Sequence, residues 1–270
     1  MKNYIFYILM TSLLFLTSCS NEDRTNTISQ ELILPKTITY LTQTDEDYRM
    51  CALTYNGNKI LDITNRLWRI NFLYDGDKIF KQIKYDIINN KEIKHSEILY
   101  SYENDKLKTV TKSINGHDNV KYVYLYNEDD TIRKEIYDVD SQTGVELKSN
   151  TTELLLFSNG NLIKKNLNIE NELFSYTSNS IYEYDDNHNV FKNILGFDLL
   201  LDQAYIDSQI NISCLNNIKK QVTAIKSQSE IVSEPYFNIV KYDYNYNGYP
   251  MKKTVYDMSG MINEEIVYKY

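Results

Sequence analysis

From about Lys36 to the C-terminus, apolar and aromatic residues alternate with polar ones in runs broken by clusters of Asn, Asp and Gly. A period of two is that of a β-strand with two distinct faces. The breaks follow a pattern: an aromatic residue closes one run, a turn follows, and an aliphatic residue opens the next. A short form reads Tyr55-Asn56-Gly57-Asn58-Lys59-Ile60, Tyr74-Asp75-Gly76-Asp77-Lys78-Ile79, Tyr102-Glu103-Asn104-Asp105-Lys106-Leu107 and Phe157-Ser158-Asn159-Gly160-Asn161-Leu162. A form one residue longer spans Tyr126 to Ile132, Tyr184 to Val190 and Tyr244 to Pro250. Asn-Gly and Asp-Gly supply the positive φ angles of tight hairpin turns, so each copy predicts a β-hairpin. Return turns such as "YDIINNKE" (Tyr85 to Glu92) and "YDVDSQTG" (Tyr137 to Gly144) complete the repeat on the opposite edge. The predicted body is all-β: an antiparallel up-and-down meander of about 14 to 16 strands, barrel-like, in one domain over 36–270.

Tyrosines share one face of the strands that enter the turns, as in Tyr122, Tyr124 and Tyr126 or Tyr242, Tyr244 and Tyr246. Strands leaving the turns carry adjacent charges, at Arg133-Lys134-Glu135, Lys164-Lys165 and Lys252-Lys253, and so put a charge on both faces. A membrane-spanning barrel needs a continuous apolar face toward lipid. These strands do not offer one, and the barrel is expected to be soluble.

One stretch, 196–218, lacks hairpin turns. Asp198 is placed to cap a short helix whose apolar side would be Leu201, Ala204 and Tyr205, giving a helical insert near 198–216. A cap over an open sheet end is the simpler role for it, and a plug or lid the alternative. A strand-like run resumes at Gln221 to Ile225.

The N-terminus carries Lys2 and then an apolar run from Tyr4 to Leu16. That is short for a membrane span, which takes about 20 apolar residues, and suits a signal-peptide core. It ends in Leu16-Thr17-Ser18-Cys19, which resembles the lipobox of bacterial lipoproteins. The resemblance implies a signal peptide over 1–18, a lipidated Cys19 and a flexible tether over 19–35. An ordinary secretory signal, with Cys19 an incidental thiol, is the alternative. The acidic start of the tether further resembles surface-displayed outer-membrane lipoproteins, so the expected location is the cell envelope, with the lipid as the only membrane contact.

A net charge of -8 sets nucleic acid aside, because binding phosphates takes a surplus of Lys and Arg. Beyond Cys19 only Cys51 and Cys214 remain; they could form one disulfide, but buried free thiols are the expectation. Nothing in the chain predicts a metal, a cofactor or an enzyme. His95, His117 and His188 lie in unrelated contexts with no HExxH. Asp138-Val139-Asp140 begins like a calcium loop, but its twelfth position is Ser149. Asp185-Asp186 and Glu264-Glu265 are neighbours that a strand points to opposite faces. That leaves aromatic residues, 25 tyrosines and the single Trp68, as candidate ligand contacts, with Tyr242, Tyr244, Tyr246 and Trp68 singled out. Their structural role would be to line and fill the interior.

The segments "YDDNHNVFKN" (Tyr184 to Asn193), "CLNNIKKQVTAI" (Cys214 to Ile225) and "YDYNYNGYPMKKTVY" (Tyr242 to Tyr256) resemble lipoproteins of Bacteroidota that carry a domain of unknown function with a porin-like fold. The hairpin units also resemble the tyrosine-aspartate repeats of Rhs-type proteins, though more loosely. The resemblance implies a lipid-tethered barrel and no established activity. Three functions stay open in order: a non-enzymatic module binding a glycan or protein, a carrier for a lipid or other amphiphile in the barrel interior, and a glycan hydrolase.

Overall fold

A computed structural model describes residues 32–270 except 116–117, 171–174, 204–205, 207–212 and 228–233. The chain divides into a segment Met1–Leu32 and a body Ile33–Tyr270. The expected signal peptide, Cys19 and most of the expected tether lie outside the described residues. The body is a closed antiparallel barrel of 16 strands. In order they are β1 Thr37–Tyr40, β2 Met50–Asn56, β3 Lys59–Thr64, β4 Trp68–Asp75, β5 Lys78–Ile88, β6 Lys91–Glu103, β7 Lys106–Ile114 and β8 Asp118–Tyr126. There follow β9 Thr131–Val139, β10 Glu146–Ser158, β11 Asn161–Glu170, β12 Ser175–His188, β13 Asn216–Ser227, β14 Tyr236–Tyr244, β15 Pro250–Tyr256 and β16 Ile262–Lys269. Every strand pairs with its sequence neighbours, and β1 closes the ring by pairing with β16, Ile38 opposite Tyr268. The up-and-down barrel read from the repeat is the observed architecture.

The repeat has a second use at the rim where the tight turns lie. In most of its hairpins one extra residue sits in the strand leaving the turn: Leu61, Phe80, Lys108, Ile163 and Met251 each have no partner, while Tyr55 faces Ile60 and Tyr74 faces Ile79. Such a bulge bends the strand and interrupts its ladder. The ladder to the following strand then starts only beyond the bulge, at Lys81 opposite Leu99 or at Thr109 opposite Val123. Carbonyls short of that point would be orphaned, and the next hairpin's tyrosine takes them. Tyr102 Oη donates to the Ile79 carbonyl (2.7 Å), Tyr126 to Leu107 (3.0 Å), Tyr184 to Leu162 (2.7 Å), Tyr242 to Ile218 (3.1 Å) and Tyr270 to Pro250 (2.8 Å). Burial pushes the phenols of Tyr102, Tyr126, Tyr242 and Tyr270 up, to about 12 for Tyr126, so they stay protonated donors at neutral pH. Tyr74, after the first bulged hairpin, departs from this: it accepts from the Ile60 N–H (3.2 Å) and donates to Leu195 O (3.0 Å). Phe157 departs in another way. Between β9 and β10 the ladder runs to the rim without a bulge, through Ile132 opposite Leu155 and Thr131 opposite Leu156, and the residue there is Phe157, which has no hydroxyl.

Face assignments follow from the register. Inward lie Ile38, Leu53, Ile70, Phe72, Tyr100, Tyr124, Leu155, Ile266 and Tyr268, none more than 5% exposed. The adjacent charges divide as the alternation demands: Lys134, Lys165 and Lys253 point in, and Arg133, Lys164 and Lys252 point out. The outer wall carries ion pairs, Arg69 with Asp62 (2.6 Å) and Glu92 (2.7 Å), Lys81 with Glu97 (2.8 Å), and Lys252 with Glu265 (2.7 Å). Cys51 and Cys214 are buried free thiols.

Within the insert a short helical segment does start at Asp198: it is a 3-10 segment, Asp198–Gln203, interrupted at Leu201 (φ 54°). Strand β13 already begins at Asn216. Leu200 is fully buried and Leu201 packs against the same core, while Ala204 and Tyr205 lie outside the described residues.

If the rim tyrosines act as described, Tyr102→Phe should lower stability by about 1 kcal/mol or more, since it strands a buried carbonyl. Phe157→Tyr should bring no comparable gain. Urea unfolding of the two variants reads the difference, and equal small effects from both would refute the seam role.

Candidate binding site in the barrel interior

Sixteen strands enclose more space than wall side chains fill. At the tight-turn end the space is taken by the chain itself. Between β12 and β13, the described residues of 189–215 turn into the barrel, with Val190, Phe191, Ile194, Phe197, Leu200 and Ile206 in the core, none above 4% exposure. Phe197 lies against Phe72 of β4 and against Phe191, with ring centroids 5.9 and 6.3 Å apart. Each such side chain stabilises by about 1.5–3 kcal/mol. The segment is thus a plug, the alternative kept for it, and not an external cap.

Its two ends meet at a polar neck. Asn189 N–H donates to Leu215 O (2.9 Å), and Leu215 N–H to Gly160 O (3.2 Å). Asn161 and Asn216 exchange hydrogen bonds of 2.9 and 3.0 Å. Asp185 Oδ1 accepts from the backbone N–H groups of Asn187 (3.0 Å) and Asn217 (3.2 Å), and Asp185 Oδ2 from Tyr244 Oη. The plug is tied to the wall by Leu195 N–H to Asn58 O (3.0 Å) and Tyr74 Oη to Leu195 O (3.0 Å). Gly196 has φ +79°, and a Cβ there would stand 3.0 Å from Asp77 O.

Deeper in, the plug delivers one charge. Asp202 Oδ2 lies 2.7 Å from Lys134 Nζ and 3.7 Å from Lys165 Nζ, and Glu153 Oε2 lies 2.9 and 2.8 Å from the same two lysines. Tyr124 Oη donates to Asp202 Oδ1 (2.8 Å), and the Lys134 ammonium sits 4.5 Å from the Tyr122 ring centroid. Burial works to raise the Asp202 carboxyl, but the ammonium groups of Lys134 and Lys165 override it and hold Asp202 below its ordinary value. Burial likewise works to lower Lys134, and Asp202 and Glu153 raise it above its ordinary range. Two cations and two anions balance. A general acid at neutral pH needs a raised carboxyl pKa, and Asp202 has the reverse.

Away from the plug the inward face becomes wetter. Lys84, Asp86, Ser96, Ile98, Lys112, Ile114, Tyr176, Ser178 and Asn238 are half-buried, against near-zero exposure at the plug end. Lys253 is matched by Glu264 (3.0 Å), and Asp86 Oδ2 lies 2.8 Å from His95 Nδ1. Among the described residues no group of three or more His, Cys, Asp and Glu is arranged to hold a metal.

The aromatic residues singled out in the sequence are not gathered. Tyr242 and Tyr244 stack with centroids 5.7 Å apart on the inner face near the neck. Tyr246 is 97% exposed at the tip of a tight turn. Trp68 is inward and 6% exposed, at the start of β4 and so toward the opposite end, with Lys84 Nζ 5.6 Å from its ring. Of the four, Trp68 alone adjoins the wetter half. The inward lysines were visible in sequence as adjacent charges, but Asp202 carried no signal, because its partners are 68 and 37 residues away.

No family model matches the chain, and no curated protein does. Among solved structures it is similar to a porin-like protein from Bacteroides vulgatus ATCC 8482, with a TM-score of 0.51 and 14% identity over 88% of this chain and 98% of that one. A porin-like protein from Bacteroides uniformis ATCC 8492 matches with a TM-score of 0.43 and 11% identity over 87% and 97% of the two chains. A protein with unknown function from Bacteroides fragilis NCTC 9343 matches at 0.14 and 9% over 75% and 88%. The first likeness concerns the fold, and the other two add nothing to it. The porin-like barrel that the sequence resemblance implied is met at that level.

Lys134→Met should destabilise by about 3–5 kcal/mol, because it leaves a buried surplus of negative charge. Adding Asp202→Leu should recover a large part of that loss by restoring the balance of Glu153 with Lys165. Chemical denaturation of the single and double variants tests the coupling, and additive losses would count against it. The sign for pH follows from Asp202: its stabilisation is complete above the ordinary carboxyl value of 3.8 and is lost as pH falls through the lower folded value. Wild-type stability should therefore drop below about pH 4 by more than that of the double variant.

Proposed function

We propose that this chain is a lipid-anchored protein of the cell envelope whose barrel acts as a non-enzymatic binding module, with the ligand held in the half of the interior opposite the plug. The observation that carries this reading is the gradient along the inner face. One end is dry and filled by 189–215, while the other exposes aliphatic, hydroxyl and charged side chains to water. The binding and carrier readings then use one cavity and differ only in whether the ligand is passed on. A hydrolase finds less support, since Glu153 and Asp202 are both engaged by lysines. The lipid anchor rests on Leu16-Thr17-Ser18-Cys19 and on the polar stretch after it. Charges on the outer wall, such as Arg69, Lys81 and Glu97, favour a barrel tethered to a membrane over one that spans it.

Native mass spectrometry of protein purified from its own envelope should reveal a non-covalent adduct that organic extraction removes. Cys19→Ser should abolish fatty-acid labelling and release the protein from the membrane fraction. Retention of Cys19→Ser in that fraction would defeat the anchor, and a ligand-free interior in every preparation would defeat the binding module.

A further inference from the structure

Burying an ammonium without a counter-charge is costly, and three of this barrel's inward lysines are paired with carboxylates. Lys134 and Lys165 share Glu153 and Asp202, and Lys253 has Glu264. Two inward lysines depart from this, and both belong to one sector of the wall. Lys84 on β5 and Lys112 on β7 make no ion pair with any described carboxylate, and the only partner of Lys84 is the face of Trp68. Their direction is fixed by regular pairing on both sides. Lys84 stands between Ile70 and Ser96, two residues from buried Gln82, and Lys112 stands between Ile98 and Val120, two residues from buried Val110.

Register places them close together. The row Ile70, Lys84, Ser96, Ile114 runs across β4 to β7, and Lys112 lies one pleat pair from Ile114. From strand spacing and rise the two Cα atoms are about 12 Å apart. Both side chains project into the concave side, where their ammonium groups can reach one ligand atom group.

A third donor faces the same place. Gln82, 4% exposed, gives its carboxamide oxygen to Tyr100 Oη (3.0 Å), and its NH2 group has no partner among the described residues. Three acidic positions share this wall: Asp86 is turned to His95, Asp138 is exposed in the row of Lys112 one strand beyond Val120, and Asp118 continues the row of Ser96 and Ile114 on β8, so the head group is placed on the β5–β7 side, between Lys84, Lys112 and Gln82. Ile70, Ile98, Ile114 and Val120 surround these donors with apolar surface.

The geometry points to a site for an anionic amphiphile: a carboxylate or phosphate head gripped by Lys84, Lys112 and the Gln82 amide, with its apolar body along the isoleucines and Trp68 at its side. This assignment rests on the interior-binding reading above and names its ligand class.

Trp68 is the single tryptophan and lies beside Lys84, so its emission reports the site directly. The probes are dodecanoate, dodecyl phosphate, dodecanol, dodecyltrimethylammonium and inorganic phosphate, each below its micellar concentration, with calorimetry as a second readout. Dodecanoate or dodecyl phosphate should give a saturable change, and their ratio distinguishes a carboxylate from a phosphate ligand. Lys84→Gln with Lys112→Gln should weaken this binding about tenfold or more, and Lys84→Arg with Lys112→Arg should largely restore it. Circular dichroism and melting confirm that the variants fold. Equal binding of dodecanol, or unchanged affinity in the double Gln variant, would overturn the anion site and leave the interior-binding reading standing. If no probe binds, the adduct from envelope-purified protein decides. An anionic adduct lost in the double Gln variant upholds the site, a neutral one overturns it, and no adduct at all removes both readings.

Discussion

A bulge that bends a strand also breaks its ladder, and a barrel built from repeated bulged hairpins would carry a ring of orphaned carbonyls at one rim. In this protein the phenolic hydroxyl of a following hairpin meets that need at five places, from Tyr102 on Ile79 to Tyr270 on Pro250. Leaving a buried carbonyl unpaired costs about 1–3 kcal/mol, so a ring of such sites bears on whether the rim closes at all. Because the tyrosines lean inward to reach the wall, their rings also supply much of the apolar lining at this end. Hydrogen bonding and packing are thus met by one residue type, which explains a composition of 25 tyrosines and one tryptophan. Phe157 shows the two duties apart: where the ladder is intact the ring is kept and the hydroxyl is not.

With the wall closed, the interior poses the opposite problem, too much room. The chain answers with 189–215, whose phenylalanines occupy one half and whose Asp202 completes a neutral set of four charges with β9, β10 and β11. Among the described residues the other half is not filled in this way, and there the wall presents its polar groups. The division between structure and candidate function therefore runs along the barrel axis, and not between inner and outer faces.

Much of this was legible because it is local. Hairpin turns, alternation and adjacent charges such as Lys164-Lys165 follow from a few neighbouring residues, and they predicted the meander and its two-faced strands. Closure of β1 on β16 depends on partners from opposite ends of the body, Ile38 and Tyr268, and no local pattern states it. That the insert packs inside the wall was harder to read for a related reason: Phe197 meets Phe72 and Asp202 meets Lys134, partners far away in sequence. Trp68, chosen as an aromatic, lies beside Lys84, whereas Tyr246 lies on a turn tip.

The neck of the plug gives the fold an unusual freedom. Since Asn189 and Leu215 are hydrogen-bonded to each other, the segment between them leaves and re-enters the wall at a single point, as a graft does. Strands β12 and β13 could be joined there by a tight turn like those of the other hairpins, with no change of register elsewhere. The lumen's contents can then be lengthened, shortened or exchanged by changes confined to one loop, while the staves around it stay the same.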